Sequence, residues 1–194
     1  MLHYKEPIFQ CSGPHLGDVW ASVNYYATQC VKLNTWKPSL VQECLDTLEH
    51  PNLLTIVDEP ATEPPVEFLL AFETRYLATK VIWNPDNITE KLLCYQFNSR
   101  TVKPPAQNEI DLFLQRAKAA GYRIDNIGDM RPLSDSIKAL SKASMFVSPM
   151  SGFAEVCRSV GTPMRVVGDY YNNVHYPHKT SDLQRFKSLT NIPL

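Results

Sequence analysis

Short apolar runs alternate along the chain with longer stretches in which apolar side chains return every third or fourth position, so strands and amphipathic helices are expected in turn. A strand is predicted at 7–10, a glycine-bearing loop at 12–18, and a helix at 19–30 with Val19, Val23, Tyr26, Ala27 and Cys30 on one side. Ser39 and Gln42 have the spacing of a capping box ahead of a helix carrying Leu40, Val41, Cys44, Leu45 and Leu48, which His50 and Pro51 end. Residues 53–57 read as a buried strand. Residues 58–65 hold three prolines and three acidic side chains, which makes them a loop. Residues 68–72 and 81–83 read as further strands, followed by a turn at 84–87.

The second half continues with a strand at 91–97, a polar loop at 98–105, and a helix at 109–120. Ile110, Phe113, Leu114 and Ala117 share one face of that helix, and Gly121 stops it. A strand at 122–127, a helix at 133–143, a strand at 145–148, a helix at 152–160 stopped by Gly161, and a strand at 164–167 follow. Such alternation predicts an α/β fold with a parallel sheet covered on both faces. Ligands of such sheets bind outside the carboxyl ends of the strands, which selects the loops at 13–18, 98–103, 128–131 (with Met130) and 148–152.

Apolar residues make up 44% of the 194 positions, enough to bury a core and to exclude disorder. No apolar run reaches the ~20 residues that span a bilayer, so no membrane insertion is expected. The first residues lack a charged and then apolar leader, and the expected location is the cytoplasm. Five cysteines with no CxxC pair fit free thiols rather than a disulfide framework or a zinc site. His175 and His178 flank Pro177 without a third ligand, so no metal is expected either. The net charge of −1 hides an asymmetry: residues 1–100 hold 7 Lys and Arg against 12 Asp and Glu, and residues 101–194 hold 12 against 8. A modestly basic second half suits a small anion such as a nucleotide and falls short of a dedicated nucleic-acid module. GxSxG, P-loop and GxGxxG motifs are absent, which argues against hydrolase, NTPase and dehydrogenase readings.

Three groups of residues could carry chemistry. Ser151 and Gly152 join a buried strand to a helix whose N-terminus attracts an anion such as a diphosphate, and Glu155 lies one turn further on, where it could accept ribose hydroxyls. The plainer reading makes Ser151 an N-cap and Glu155 a complement to the helix dipole. Ser99, Arg100 and Lys103 lie in the loop after the first strand of the second half, where cations can clamp phosphate oxygens or simply be solvated. Asp18 follows Gly17 at a helix start, where it can cap the helix, act as a general base, or do both.

The segment from His15 to Ser22, and the helix, strand, Ser-Gly turn, helix and Gly-x-Pro strand at 137–167, resemble glycosyltransferases of the two-Rossmann-domain type, the heptosyltransferase family above all. The resemblance implies a miniature GT-B-like fold: two small Rossmann-like lobes with parallel sheets and a cleft between them. The implied division is an acceptor-side lobe at 1–85, a nucleotide-sugar lobe at 86–180, and a tail or helix at 181–194. It implies that Asp18 is the base, with Gly13, His15 and Gly17 on the acceptor side. Arg100 or Lys103 would then meet the donor diphosphate, and Ser151 and Gly152 would hold phosphate and ribose. This chain has Met150 and Glu155 where the family usually has Asp and His, and its first half is shorter.

The implied activity is transfer of a sugar from a nucleotide-sugar co-substrate to an acceptor hydroxyl, inverting and without a metal or cofactor. The acceptor is a saccharide or a hydroxymethylated base in DNA, and a homodimer would be compatible with a small first lobe. For DNA, the aromatics Trp20, Tyr25, Tyr26 and Trp36 and the cations Arg123, Arg131, Lys138, Lys142 and Arg185 would supply the surface. A nucleotide-sugar epimerase and a non-catalytic nucleotide- or nucleic-acid-binding protein are the alternatives.

Overall fold

The structure is a computed structural model that describes residues 6–27, 29–49, 54–65, 79–99, 102–128, 131–168 and 183–194. The chain forms two compact units, Met1–Lys80 and Val81–Leu194.

The first unit runs β1 (Ile8–Gln10), α1 (Leu16–Tyr26), β2 (Val31–Asn34), α2 (Pro38–Thr47) and β3 (Leu54–Val57). Its strands pair in parallel in the order β1-β2-β3, with Phe9 opposite Leu33 and Leu33 opposite Ile56. Successive strands step in one direction, so right-handed crossovers place both helices on one face. There α1 contributes the buried Val19, Trp20 and Val23, and α2 contributes Val41, Cys44 and Leu45.

The structure departs from the sequence reading here. The first helix begins three residues earlier than predicted, so Gly17 and Asp18 lie inside its first turn, and it ends at Tyr26 rather than Cys30. The chain then forms β2, which was not predicted. In α2, Pro38 takes the first helical position and Lys37 the N-cap, so Ser39 is not the cap. The main-chain N–H groups of Thr62 and Glu63 donate to the Ile8 carbonyl at 2.8 and 3.0 Å, covering the outer edge of β1.

The second unit runs β4 (Leu92–Tyr95), α3 (Gln107–Ala119), β5 (Arg123–Asn126), α4 (Leu133–Leu140), β6 (Met145–Ser148), α5 (Gly152–Val160), β7 (Met164–Val167) and β8 (Leu183–Phe186). All five strands are parallel, in the order β5-β4-β6-β7-β8. The chain steps from β4 to β5, crosses back over β4 to β6, and continues outward. The strand order therefore reverses between β4 and β6. Right-handed crossovers then put α3 on one face and α4 and α5 on the other. Leu93, Met145 and Val147 accordingly pack with Phe113 and Ala117 of α3, while the alternate positions Cys94, Gln96, Phe146 and Ser148 turn to the opposite face.

Residues 81–83 are not the predicted strand. The Trp83 N–H donates to the Val160 carbonyl and its indole Nε1 donates to the Ala143 carbonyl, both at 2.8 Å, so the segment ties down the ends of helices rather than a sheet edge. The segment at 68–72 lies outside the described residues. At the C-terminus, β8 takes the place of the expected tail or helix, and a single 3-10 turn at Leu189–Asn191 follows it. That turn is fixed to α3: the Leu189 N–H donates to Glu109 Oε1 at 2.6 Å, and Arg116 donates to the Thr190 carbonyl at 3.1 Å. Gly121 and Gly161 end α3 and α5 as predicted, with φ of +85° and +88° that only glycine adopts without strain.

Candidate functional site

In the first unit, the turn between β1 and α1 gathers Gly13, His15, Gly17 and Asp18. His15 is the extended N-cap of α1, and its main-chain N–H donates to Asp18 Oδ2 at 3.4 Å. Gly13 is buried beneath that carboxylate, so closely that a Cβ there would stand 2.4 Å from Oδ2. The turn is held from both sides. The Ser12 N–H donates to Ser22 Oγ at 3.0 Å, and the Cys11 N–H donates to the Asn34 carbonyl at 2.9 Å. Asn34 Nδ2 in turn donates to the Glu59 carbonyl at 2.9 Å, which links the carboxyl ends of β1, β2 and β3. Asp18 therefore caps its helix while staying half-exposed.

In the second unit the turn between β6 and α5 carries Ser148, Ser151 and Gly152. Ser151 occupies the N-cap in an extended conformation (φ −146°, ψ 171°), yet its side chain makes no capping hydrogen bond. Its Oγ is buried without a partner. A capping serine would have spent that oxygen on the first amide N–H groups of α5, which is a nine-residue helix. The turn thus keeps both an unengaged hydroxyl and the positive end of a helix, the elements of an anion site. Gly152 stands half-exposed as the first helical residue. Glu155 is 3% exposed, and Arg158 donates to its Oε2 at 2.9 Å, so part of its carboxylate is committed inside α5.

Two further buried oxygens lie beside this turn. Ser148 Oγ and Gln96 Oε1 have no hydrogen-bond partner. Gln96 follows β4. Its main-chain N–H donates to the Val147 carbonyl at 3.2 Å, which continues the pairing of Tyr95 with Val147 and sets Gln96 opposite Ser148. Its side-chain amide nitrogen donates to the Asn98 carbonyl. The sequence reading did not single out Gln96; its signal was a lone amide at the carboxyl end of an otherwise apolar strand. In the loop that follows, Ser99 Oγ accepts from the Val102 N–H at 3.2 Å, and Lys103 is exposed. Arg100 and Met130 lie outside the described residues. Ser99 and Lys103 therefore follow β4, and Ser151, Gly152 and Glu155 follow β6, on the two strands between which the order reverses. Parallel sheets take their ligands at that point.

Several residues assigned to a polymer surface are otherwise employed. Trp20 and Tyr26 are buried and Tyr25 is half-buried, leaving Trp36 exposed. Arg131 forks onto Asp125 at 3.2–3.3 Å and donates to Ser136 Oγ at 3.2 Å. Arg123 pairs with Glu90 at 2.7 Å and Lys138 with Asp135 at 3.3 Å. Burial pushes the Cys94 thiol up to about 12 and also raises Cys44 and Cys157, so these three are core groups rather than nucleophiles near neutral pH.

No family model matches the chain, and no curated protein does. Solved structures do. The bacterial iron-containing dodecameric glycosyltransferase TibC from enterotoxigenic E. coli superposes with a TM-score of 0.61 at 12% identity, over 86% of this chain and 61% of TibC. TibC in complex with ADP-D-beta-D-heptose, described as a heptosyltransferase, gives 0.60 over the same shares. The E. coli ADP-heptose LPS heptosyltransferase II gives 0.64 at 8% identity, over 96% of this chain and 94% of that one. The chain thus spans about three-fifths of the length of TibC. Among the described residues, no three or more His, Cys, Asp or Glu side chains are grouped as they would need to be to hold a metal ion. The chain has the α/β fold of the heptosyltransferases, with a parallel sheet in each of its two units.

Proposed function

We propose that this chain is a glycosyltransferase that binds a nucleotide sugar in its second unit and transfers the sugar to an acceptor hydroxyl. The observation that carries the reading is the uncapped start of α5 at the point of strand reversal, where Ser151 Oγ is buried without a partner. The fold shared with ADP-heptose-dependent enzymes agrees with it. The diphosphate would take hydrogen bonds from the first amide N–H groups of α5 and from the Ser151 hydroxyl, with Lys103 supplying a further positive charge. The acceptor oxygen would attack the anomeric carbon as Asp18 takes its proton. The bond from that carbon to the diphosphate would break with its electron pair, and the leaving diphosphate would be stabilised by those fixed donors. Direct displacement of this kind inverts the anomeric centre.

The acceptor proposed is a saccharide. The test incubates the purified full-length chain with ADP-heptose, GDP-mannose or UDP-glucose and a panel of saccharide acceptors, and identifies products by mass. A glycosylated acceptor with released nucleoside diphosphate is the expected result. An isomerised nucleotide sugar would make the chain an epimerase. Tight binding with no product would make it a binding protein.

A further inference from the structure

We propose that Gln96 and Ser148 form an acceptor-lined subsite for a hydroxyl of a sugar joined to the diphosphate, an inference that rests on the donor reading above. Gln96, the residue after β4, continues the pairing of Tyr95 with Val147 and so comes opposite Ser148, the last residue of β6; the two are 2% and 0% exposed, on the face shared with α5. The Gln96 main-chain N–H donates to the Val147 carbonyl and its amide nitrogen to the Asn98 carbonyl, and its Oε1 has no partner. Ser148 Oγ beside it has none either. An amide oxygen cannot receive a phosphate oxygen, because both are acceptors. It takes the hydrogen of a hydroxyl or an N–H, and the serine hydroxyl can accept a second or return one.

Polarity therefore changes within three residues of chain. Donors for an anion stand at Ser151 and the start of α5, and acceptors stand at Gln96 and Ser148. A nucleotide sugar carries the matching pattern, since its diphosphate joins two polyols, the ribose and the transferred sugar. Both could present the hydroxyl, and the experiment separates them.

The probes are the best bound of ADP, GDP and UDP, its 2′-deoxy and 3′-deoxy forms, and its sugar conjugate, each titrated calorimetrically into the full chain. The variants are Ser148→Ala, Gln96→Met and the pair. Ser148→Ala removes only an unpartnered hydroxyl, so its melting temperature should hold or rise, whereas Gln96→Met also gives up the bond to the Asn98 carbonyl and should lower the melting temperature slightly. If the ribose is the ligand group, the wild type binds the parent nucleotide about tenfold more tightly than one deoxy form, and the double variant erases that ratio. If the transferred sugar is the group, the double variant instead erases a preference of similar size for the conjugate over the bare nucleotide. Should Gln96→Met fail to fold, Ser148→Ala alone must reduce one of these ratios. A folded double variant that keeps every wild-type ratio overturns the subsite and leaves these oxygens to buried water. Failure of the wild type to bind any nucleoside diphosphate would overturn the donor reading and the subsite with it.

Discussion

At the scale of single residues, Asp18 combines two roles that can be separated by touching its neighbour. The carboxylate receives the His15 N–H and so completes the start of α1, and it rests on Gly13. A methyl group added at Gly13 would meet Oδ2 at 2.4 Å, Cγ at 2.8 Å and the Asp18 Cβ at 3.1 Å, so the whole side chain must swing away rather than merely its tip. If Asp18 is the base, Gly13→Ala should lower turnover about as much as Asp18→Asn, by about 100-fold, although the carboxylate itself is intact. Nucleoside diphosphate affinity should be unchanged in both variants, since the proposed phosphate donors belong to α5. If both variants instead lose about 1 kcal/mol of stability at full turnover, as for a missing cap, the base lies elsewhere. Glu155 was readable from sequence as a carboxylate one turn beyond Ser151. Its bond to Arg158 was not, because two side chains three apart on a helix pair or separate according to what buries them.

Among the elements, the C-terminal segment shows how a stretch without a strong pattern of its own becomes structural. Leu189 is fully buried and Ile192 nearly so, within the cluster formed by Phe113 of α3 and Met145 and Val147 of β6. Leu189→Ala should cost about 2–5 kcal/mol, through lost transfer energy and the cavity left behind. Chemical denaturation monitored by circular dichroism would measure it, and a cost below 1 kcal/mol would mean that the segment is not part of the core. The bounds of β6, α5 and β7 were legible to the residue, because Met145–Ser148 is buried throughout and the apolar stripe of α5 runs up to Gly161. Strand β2 was not, since Val-Lys-Leu-Asn holds one buried residue and takes its form from two neighbouring ladders. Strand β8, Leu-Gln-Arg-Phe, likewise depends on its pairing with β7. Gly17 suggested a loop where the chain was already helical. In the candidate site, the Ser-Gly turn could be read from local order, whereas Gln96, a lone amide at the end of an apolar strand, gained its meaning from its register opposite Ser148.

For the molecule as a whole, charge decides between a small acceptor and a polymer. Met1–Lys80 holds 5 Lys and Arg against 10 Asp and Glu, a balance of −5, and Val81–Leu194 holds 14 against 10, a balance of +4. Duplex DNA presents one negative charge about every 1.7 Å, so a protein that tracks it must release several counterions through free cations. Much of the positive charge of the second unit is engaged internally: Arg123 with Glu90, Arg131 with Asp125, Lys138 with Asp135, Arg158 with Glu155, and Arg116 with the carbonyls of Thr190 and Ile192. A diphosphate needs far less, a helix start and one cation, which in the proposed site would be the turn at Ser151 and Lys103. Binding to duplex DNA carrying hydroxymethylated bases should therefore be undetectable by fluorescence anisotropy at about 0.15 M salt, the physiological level. Nucleotide-sugar affinity should fall only slightly between low and physiological salt, since few charges are neutralised. Tight DNA binding whose logarithm falls steeply with the logarithm of salt concentration would mean that a cationic track exists despite these internal pairs. The acceptor would then be nucleic acid rather than saccharide.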